Sequence, residues 1–560
     1  MLEVRESILY SCVRCRHNFL TQENKMKKNR IGFFAALFFV FFHIHPLSAG
    51  DVASLRQTLS FRYFQPLFEA IGYRPLHVHL YDRDTLQPIQ NATVLLSEQL
   101  DPSLTFSWIK TNADGNASFD GFILPQGSIT VTAAHESYSR YTIFLTEADD
   151  IRIPLTRLED DSQKTLVKGT FQEWPEMEDY DGTLHLGFML PFLDIVTLLN
   201  FDTDKFLAPY VKAQVYKETM VPGNFVAPTQ EEAVLGIFSV FISKPMYQMP
   251  FVKGSRQNLV AITGEVPIEK LSSAIFFKKP VIEILNLISM TKVGMEFNVE
   301  IPDQTMHQNL RLSHAMTPTF EVSVENALPD KDLIYISSGA FKDQVESIFP
   351  IDFKVKGRDE KNKKVTLKSI TRTEALSPFQ EGVMVLHADL PKNMDDKKES
   401  DWAMSAAVEH PEASEKTVTL NSFLNFMDIS YAYDGHYRFS YKYRDPAPSS
   451  PIPSSIEPQL NLSFLNIEIK PTKEDKGYKK TWWTVLAPAH IREFTLPELP
   501  GGLYELPTLK PKEELNFTMN LFRVAESEQP FNYHSFNEKR LAADLTHFSR
   551  NRAKLHPPQP

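Results

Sequence analysis

Short runs of alternating apolar and polar residues, separated by tight-turn sequences, characterise the stretch from Pro75 to about Leu155. The apolar runs are Leu76, Val78 and Leu80; Thr93 to Leu96; Phe106 and Trp108; Ser128 to Thr132; and Tyr141 to Phe144. A period of two is the pattern of strands with one buried face. Between the runs, Asn112-Ala113-Asp114-Gly115 and Pro125-Gln126-Gly127 tolerate turn conformations. The stretch therefore predicts a small antiparallel β-sandwich.

Family motifs lie along the same stretch. In chain order they are His77 to Asp82, Gln87 to Val94, Thr111 to Phe119, Leu124 to Gly127 and Ile129 to Ala133. Together these segments resemble the carboxypeptidase regulatory-like domain, a transthyretin-like β-sandwich. Leu86-Gln87 stands where that family usually has a glycine, and Ser137-Tyr138 where it has Gly-Tyr. The resemblance covers residues 75–156 of 560 and implies a non-catalytic module found in exported and surface proteins, so it predicts architecture rather than chemistry.

Met26 to Ala49 has the order of a secretory signal: a basic start at Lys27 to Arg30, an apolar run at Ile31 to Phe42, and a small residue at the end. A permanent membrane span needs about 20 apolar residues, and this run is shorter. We therefore expect cleavage after Ala49 and no transmembrane span in the mature chain. The predicted location is the periplasm, the cell surface or the extracellular space.

Residues 1–25 then form an upstream extension, which contains both cysteines, Cys12 and Cys15. A single Cys-x-x-Cys pair supplies too few ligands for a zinc site, so no metal or cofactor is predicted. Removing residues 1–49 takes 7 of 59 basic and 3 of 70 acidic residues, which leaves 52 against 67, a net charge near −15 instead of −11. An acidic protein of this kind is unsuited to nucleic acid, because that binding depends on neutralising phosphates.

The rest of the chain predicts a mainly β, multidomain protein. The expected regions are a helical lead-in at 50–74, a mixed α+β domain at 165–316, β domains at 317–391 and 417–530, and a basic tail at 531–560. Two sandwich-like modules, or one large one with a long insertion, would fit the C-terminal strands. Buried helical segments are expected in Leu186 to Phe201 and Pro280 to Met290, and a helix through Leu541, Leu545 and Phe548. Connecting segments are expected at Arg157 to Lys164 and Lys392 to Lys416.

Candidate binding residues fall in two places. The first is an acidic group beside an aromatic ring, formed by Glu173, Trp174, Glu176, Asp179 and Asp181. Carboxylates next to an aromatic face suit a cation or a sugar, but glycoside cleavage would need two of them at a fixed separation. The second is Trp482-Trp483, where alternation along a strand places one ring inward and the other outward. Only the outward ring would be available to a ligand.

Weaker patterns favour ordinary structure. Asn112, Asp114, Asn116 and Asp120 offer oxygen ligands for calcium, but they lack the closing glutamate of a standard calcium loop, which favours a hairpin turn. His307 and His314 are spaced unlike a zinc pair. Ser337-Ser338-Gly339 lacks the preceding glycine of a serine-nucleophile elbow and is expected in a loop. No catalytic residue is predicted.

Two functional classes remain open. The first is an exported, non-catalytic protein of the cell envelope or extracellular space that binds a polymer, a protein or a surface. The second is an exported hydrolase whose site is assembled from distant residues and has no local motif. A cleft lined by convergent side chains would favour catalysis, and flat aromatic strips would favour binding.

Overall fold

The computed structural model describes residues 75–98, 101–119, 129–158, 161–174, 182–193, 207–215, 217–235, 238–277, 279, 286–325, 327, 331–341, 348–371, 376, 379–388, 404–409, 415–419, 427–433, 437–443, 462–470, 480–497, 499, 514–524 and 545–555. The chain divides into a unit of residues 1–76 and 119–127 and a unit of residues 77–118 and 128–560. In the described part of the first unit, the Phe119 amide donates to the Leu76 carbonyl over 2.9 Å. All of the named strands and the helix belong to the second unit.

The N-terminal strands form the predicted β-sandwich. Their bounds are β1 (His77–Asp82), β2 (Thr93–Glu98), β3 (Asp101–Lys110), β4 (Asn116–Ser118), β5 (Ile129–His135), β6 (Tyr138–Thr146) and β7 (Asp150–Leu155). One sheet has the order β4-β1-β7, and the facing strands run β3-β2-β5-β6. Alternate residues point inward from both sheets, so that Val78 and Ile153 are buried on one side and Val94 and Ile143 on the other.

The middle of the chain also folds mainly as strands. Their bounds are β8 (Lys164–Gln172), β9 (Thr183–Pro191), β10 (Tyr210–Val215), β11 (Lys217–Pro222), β12 (Phe225–Leu235), β13 (Phe238–Lys244), β14 (Met246–Val252), β15 (Arg256–Pro267), β16 (Ser289–Glu300), β17 (Met306–His307), β18 (Leu310–Arg311) and β19 (His314–Ala315). The helix α1 (Ile268–Phe276) follows β15 directly. An eight-stranded sheet runs β11-β10-β13-β12-β9-β15-β16-β19, and β14, β8 and β17 form a second sheet with β18 paired to β8.

A single apolar cluster joins these two sheets. Val167 and Phe171 of β8 and Tyr247 of β14 pack with Met189 of β9 and Ala261 of β15. All of these side chains are at most 7% exposed. Burial on this scale is the main favourable contribution to folding.

In the C-terminal part, the described residues form strands joined by turns and short connections. Their bounds are β20 (Thr319–Glu325), β21 (Asp332–Phe341), β22 (Ile348–Lys356), β23 (Val365–Lys368), β24 (Phe379–Ala388), β25 (Met404–Glu409), β26 (Glu415–Thr419), β27 (Met427–Tyr433), β28 (Tyr437–Tyr443), β29 (Leu462–Lys470), β30 (Lys480–Pro488), β31 (Glu493–Thr495), β32 (Glu514–Val524) and β33 (Leu545–Leu555). Two smaller sheets have the orders β23-β20-β26 and β27-β28-β31.

A twelve-stranded sheet connects strands of the N-terminal sandwich with the C-terminal strands, in the order β22-β21-β24-β25-β33-β32-β29-β30-β6-β5-β2-β3. The junction is a parallel pairing of β6 with β30, in which Arg140 lies opposite Trp483. This sheet contains strands from the predicted regions 75–156, 317–391, 417–530 and 531–560. The limits of independent domains within it stay predictions.

Three predicted segments take another form. Leu186 to Pro191 lies in β9, and the helix expected through Leu545 and Phe548 is strand β33. In the insert expected to be a connection, Met404–Glu409 is β25 and is paired on both sides, with β24 and β33. These segments are strands because each is hydrogen-bonded to partners distant in sequence, a stabilisation that local periodicity does not register.

Other predictions lie partly or wholly outside the described residues. The signal segment, the extension before it and the lead-in at 50–74 are outside them, as are Pro280 to Leu285 of the second expected helix. The rest of that helix segment is a turn leading into β16 at Ser289. Within the part of the chain that the structure describes, no helix is long and apolar enough to cross a membrane.

Candidate functional site

A polar groove lies on the outer face of the three-stranded sheet β4-β1-β7. Along β1 the burial alternates, with Val78 inward and its neighbours His77 and His79 outward. In register, His77 is opposite Ser118 of β4 and Asp150 of β7. His79 is likewise opposite Asn116 and Arg152. Because directly opposed residues share a face, the strand pairing gathers these polar side chains on one surface.

Hydrogen bonds within the groove fix the two imidazole rings. His77 Nδ1 is 3.0 Å from Ser118 Oγ. His79 Nδ1 is 2.8 Å from Asn116 Oδ1, an acceptor, so His79 donates there and its Nε2 is an acceptor in the neutral ring. The His79 ring also stacks on Tyr81, with centroids 6.0 Å apart and planes at 23°. The rings are therefore held in place before any ligand arrives.

The turn before β4 positions Asn116. Asn112 Oδ1 accepts hydrogen bonds from the amides of Asp114 at 3.0 Å and Asn116 at 2.9 Å. Gly115 completes the turn with a φ of +72°, a conformation open to glycine. The Asn112 side chain serves the predicted hairpin turn in this way. Asp120, the last of the four residues considered for calcium, lies outside the described residues.

The groove encloses about 440 Å³ and is lined by His77, Val78, His79, Asn112, Asn116, Ser118, Asp150 and Arg152. Val78 is the apolar member of this set and is itself 1% exposed. The remaining lining groups are imidazole, amide, hydroxyl, one carboxylate and one guanidinium. They provide many hydrogen-bond donors and acceptors with little net charge.

Glu173 and Trp174 occupy ordinary structural positions. Arg311 Nε donates to Glu173 Oε1 over 2.8 Å, and this hydrogen bond, together with the Arg311 charge, lowers the pKa of Glu173. The Trp174 ring packs on Phe171 with centroids 5.6 Å apart, at the edge of the middle core. Glu176, Asp179 and Asp181 lie outside the described residues, so the acidic group as a binding surface stays a prediction.

Trp483 is the inward ring of the tryptophan pair. It is fully buried, and its Nε1 donates to Thr142 Oγ1 over 2.8 Å. The Arg140 guanidinium lies 5.3 Å from the centre of its ring. Trp482 is in the same strand, but its side chain is not among those described. Its role as a ligand platform stays a prediction.

The remaining candidates from the sequence, Ser337, Ser338, His307 and His314, lie in strands. Ser337 and Ser338 lie within strand β21 and are buried, which corrects the loop expected there. Ser337 Oγ donates to the Lys368 carbonyl over 3.1 Å and accepts from the Asp352 amide. His307 and His314 belong to the separate short strands β17 and β19. The described residues contain no group of three or more His, Cys, Asp or Glu side chains arranged to hold a metal ion.

The groove was not predicted from the sequence, although one of the two features that form it is visible there. The order His77-Val78-His79 places both histidines on the solvent face of a strand whose alternate residues are buried. The second feature is the pairing of β1 with β4 and β7, which brings in residues about 40 and 70 positions away. No local sequence pattern predicts that pairing.

No known protein family matches this sequence, and no curated protein matches it either. Among solved structures, a minor pilin of Streptococcus agalactiae is 11% identical, with 43% of this chain and 96% of that chain covered and a TM-score of 0.14. The major pilin subunit of Bacillus cereus is 9% identical, with 62% and 99% covered and a TM-score of 0.14. A shaft pilin mutant of Lactobacillus rhamnosus GG is 9% identical, with 43% and 98% covered and a TM-score of 0.13. With TM-scores this low, the function proposed next rests on this chain's own residues.

Proposed function

We propose that this is an exported binding protein that holds a hydroxyl-rich polymer, a polysaccharide, in the groove on sheet β4-β1-β7. The observation that carries the proposal is the row of polar side chains opposed across three strands, His77 with Ser118 and Asp150, and His79 with Asn116 and Arg152. We also assign residues 75–156 to the carboxypeptidase regulatory-like family, on the motifs quoted above. Export rests on the secretory pattern at Met26 to Ala49.

The chemistry of the groove favours sugar hydroxyls over other polymers. Each hydroxyl both donates and accepts, which suits a surface of mixed amide, imidazole and hydroxyl groups. One carboxylate and one guanidinium, from Asp150 and Arg152, can accept from and donate to neighbouring hydroxyls. A polyanion is disfavoured by the net charge near −15 that remains after removal of residues 1–49, and an apolar peptide would find no exposed apolar lining among the groove residues.

Affinity electrophoresis tests the proposal. The purified protein is run through native gels with dextran, xylan, hydroxyethyl cellulose or soluble glucomannan embedded in them. We expect at least one polysaccharide to retard the protein and Arg152→Ala to weaken that retardation about tenfold or more, because charged hydrogen bonds contribute about 1.5–3 kcal/mol.

Arg256→Ala is the matched control. Arg256 is also an arginine on a strand surface, with its Nη2 2.7 Å from Glu300 Oε1, but it lies outside the groove. Its retardation should equal that of the unmodified protein. Equal mobility of the unmodified protein in every polysaccharide gel and in a gel without polysaccharide would count against the proposal.

Export has its own test. The native host is fractionated and the N-terminus of the product is sequenced, and we expect a mature end at Gly50 outside the cytoplasm. A cytoplasmic product that still contains residues 26–49 would overturn the export argument.

A further inference from the structure

A second polar constellation lies on the eight-stranded sheet, away from the groove. Glu265 of β15 is opposite His185 of β9 on one side and Ser289 of β16 on the other. Opposed residues share a face, so the three side chains form a row across three adjacent strands. His185 Nδ1 and Glu265 Oε1 are 3.7 Å apart, and Ser289 is exposed.

Lys368 completes the row from strand β23. Its Nζ is 2.9 Å from Ser289 Oγ, within hydrogen-bond distance, and it also donates to the Met290 carbonyl. Lys354 Nζ donates to the carbonyl of Ile288, the residue before Ser289, over 3.5 Å. The serine hydroxyl therefore lies beside the Lys368 amine, and Lys354 contacts the carbonyl of the preceding residue.

The surroundings of Lys368 lower the pKa of its ammonium. Burial lowers the pKa of its ammonium most strongly, and the nearby charge of Lys354 lowers it further. Asp352 and Glu265, the carboxylates that face it, raise the pKa, but the balance stays below the ordinary value. The Lys368 amine, 2.9 Å from the Ser289 hydroxyl and with its pKa lowered, has the arrangement of a base beside a nucleophile.

We propose that Ser289 is a nucleophile and Lys368 its general base, in a site that transfers acyl groups from esters to water. This activity goes beyond binding in the groove and does not depend on it. It gives a definite form to the hydrolase class that the sequence leaves open, with residues 185, 265, 289 and 368 brought together from four strands.

The reaction balances with water as the second substrate. Ser289 Oγ bonds to the acyl carbon while its proton passes to Lys368 Nζ. The carbon–oxygen bond to the alcohol then breaks, and Lys368 returns the proton to the leaving alcohol oxygen. A water molecule attacks the acyl-serine, its proton passes to Lys368, and cleavage of the acyl–Oγ bond releases the carboxylic acid and returns the proton to Ser289.

Labelling with a fluorophosphonate probe tests the proposal on the full-length protein. Ser289 Oγ would displace fluoride from phosphorus, and peptide mapping by mass spectrometry identifies the labelled residue. We expect the label on Ser289 and its loss in Ser289→Ala. Lys368→Arg retains the cation and the contact with the Met290 carbonyl but cannot act as a base at neutral pH, so labelling should fall about 100-fold.

Ser137→Ala provides the matched control, because Ser137 is an exposed serine outside the row, and its labelling should equal that of the unmodified protein. Glu265→Gln removes a carboxylate that raises the pKa of Lys368, so the rise of labelling rate with pH should move to lower pH. A purely structural row would not produce that shift. Label on other residues, equal labelling of Ser289→Ala, or no labelling of the folded protein would each overturn the proposal.

Discussion

At the scale of single residues, Asp82 holds the end of β1 to the segment that leaves the sandwich. Its buried carboxylate accepts from the amides of Asp84 and Thr85 through Oδ1, both at 2.9 Å. Its Oδ2 accepts from Tyr138 Oη at 2.8 Å and from Arg157 Nη2 at 2.7 Å. Burial alone would raise the pKa of Asp82, but these hydrogen bonds and the Arg157 charge lower it overall.

Asp82→Asn should therefore destabilise the sandwich by about 2–4 kcal/mol, because it leaves Arg157 without its buried carboxylate. Hydrogen exchange of peptides from residues 77–155 in increasing urea measures the loss. Asp114→Asn is the control, since Asp114 is exposed in the turn, and should stay within about 0.5 kcal/mol. A loss in Asp82→Asn no larger than in that control would refute the role of the carboxylate.

The same carboxylate sets a pH dependence. The pKa of Asp82 is lower in the folded than in the unfolded protein, whose ordinary value is 3.8. Its contribution is thus fully present above about pH 5 and is lost as the pH falls below about 4 and through the folded pKa. We expect the stability difference between the unmodified protein and Asp82→Asn to shrink in acid. A difference that does not change between pH 6 and 3 would contradict this sign.

At the scale of elements, the turn before β4 depends on one glycine. Gly115 has a φ of +72°, and a Cβ there would lie 2.4 Å from the Leu80 carbonyl oxygen. Gly254 has the same φ, with nothing within 4 Å of its Cβ position. A side chain at either position would strain the backbone, but only at Gly115 would it also overlap with a neighbouring atom.

Gly115→Ala should cost about 3 kcal/mol or more, and Gly254→Ala about 1 kcal/mol, the cost of the left-handed conformation alone. Thermal unfolding and hydrogen exchange in increasing urea measure the loss of stability of both variants. Gly115→Ala should also weaken retardation by polysaccharide, because the turn positions Asn116. Equal costs at the two glycines would show that the contact with Leu80 is relieved without consequence.

Strands could be predicted from the sequence where one face of the strand is exposed to solvent and the other is buried. Strand β1 alternates between buried and more exposed residues, and the sequence predicts it. Strand β9 is instead buried on both faces, since its consecutive residues Met189 and Leu190 are 0% and 8% exposed. In β33 a register shift against β32 places Leu545 and Phe548, three positions apart, on the same face. A strand of this kind has no period of two, and its apolar spacing also fits a helix.

At the scale of the whole molecule, the pairing of β6 with β30 unites strands about 340 residues apart. Sequence could not predict this sheet, or either constellation, because each depends on which strands lie side by side. The mainly β class was predictable because propensity and turn residues act locally. The groove needs β1 beside β4 and β7, and the Ser289 row needs β9, β15, β16 and β23 together.

The variant Trp483→Phe tests the pairing of β6 with β30. It keeps most of the buried ring but removes the hydrogen bond to Thr142, a loss of about 1–2 kcal/mol. Amide exchange at Tyr141 to Ile143 of β6 should rise about 5- to 30-fold. Trp174→Phe, in the middle core, should leave exchange in β6 unchanged. Unchanged exchange in Trp483→Phe would indicate that β6 is held without β30.

The groove on sheet β4-β1-β7 is the proposed polysaccharide site. NMR of the imidazole Cε1–H signals tests it directly, with His77 and His79 assigned through His77→Gln and His79→Gln. Titration with an oligosaccharide cut from the retarding polysaccharide should shift these two signals and leave His307, which lies outside the groove, unchanged. Saturable binding of the oligosaccharide with the His77 and His79 signals unmoved would contradict the account.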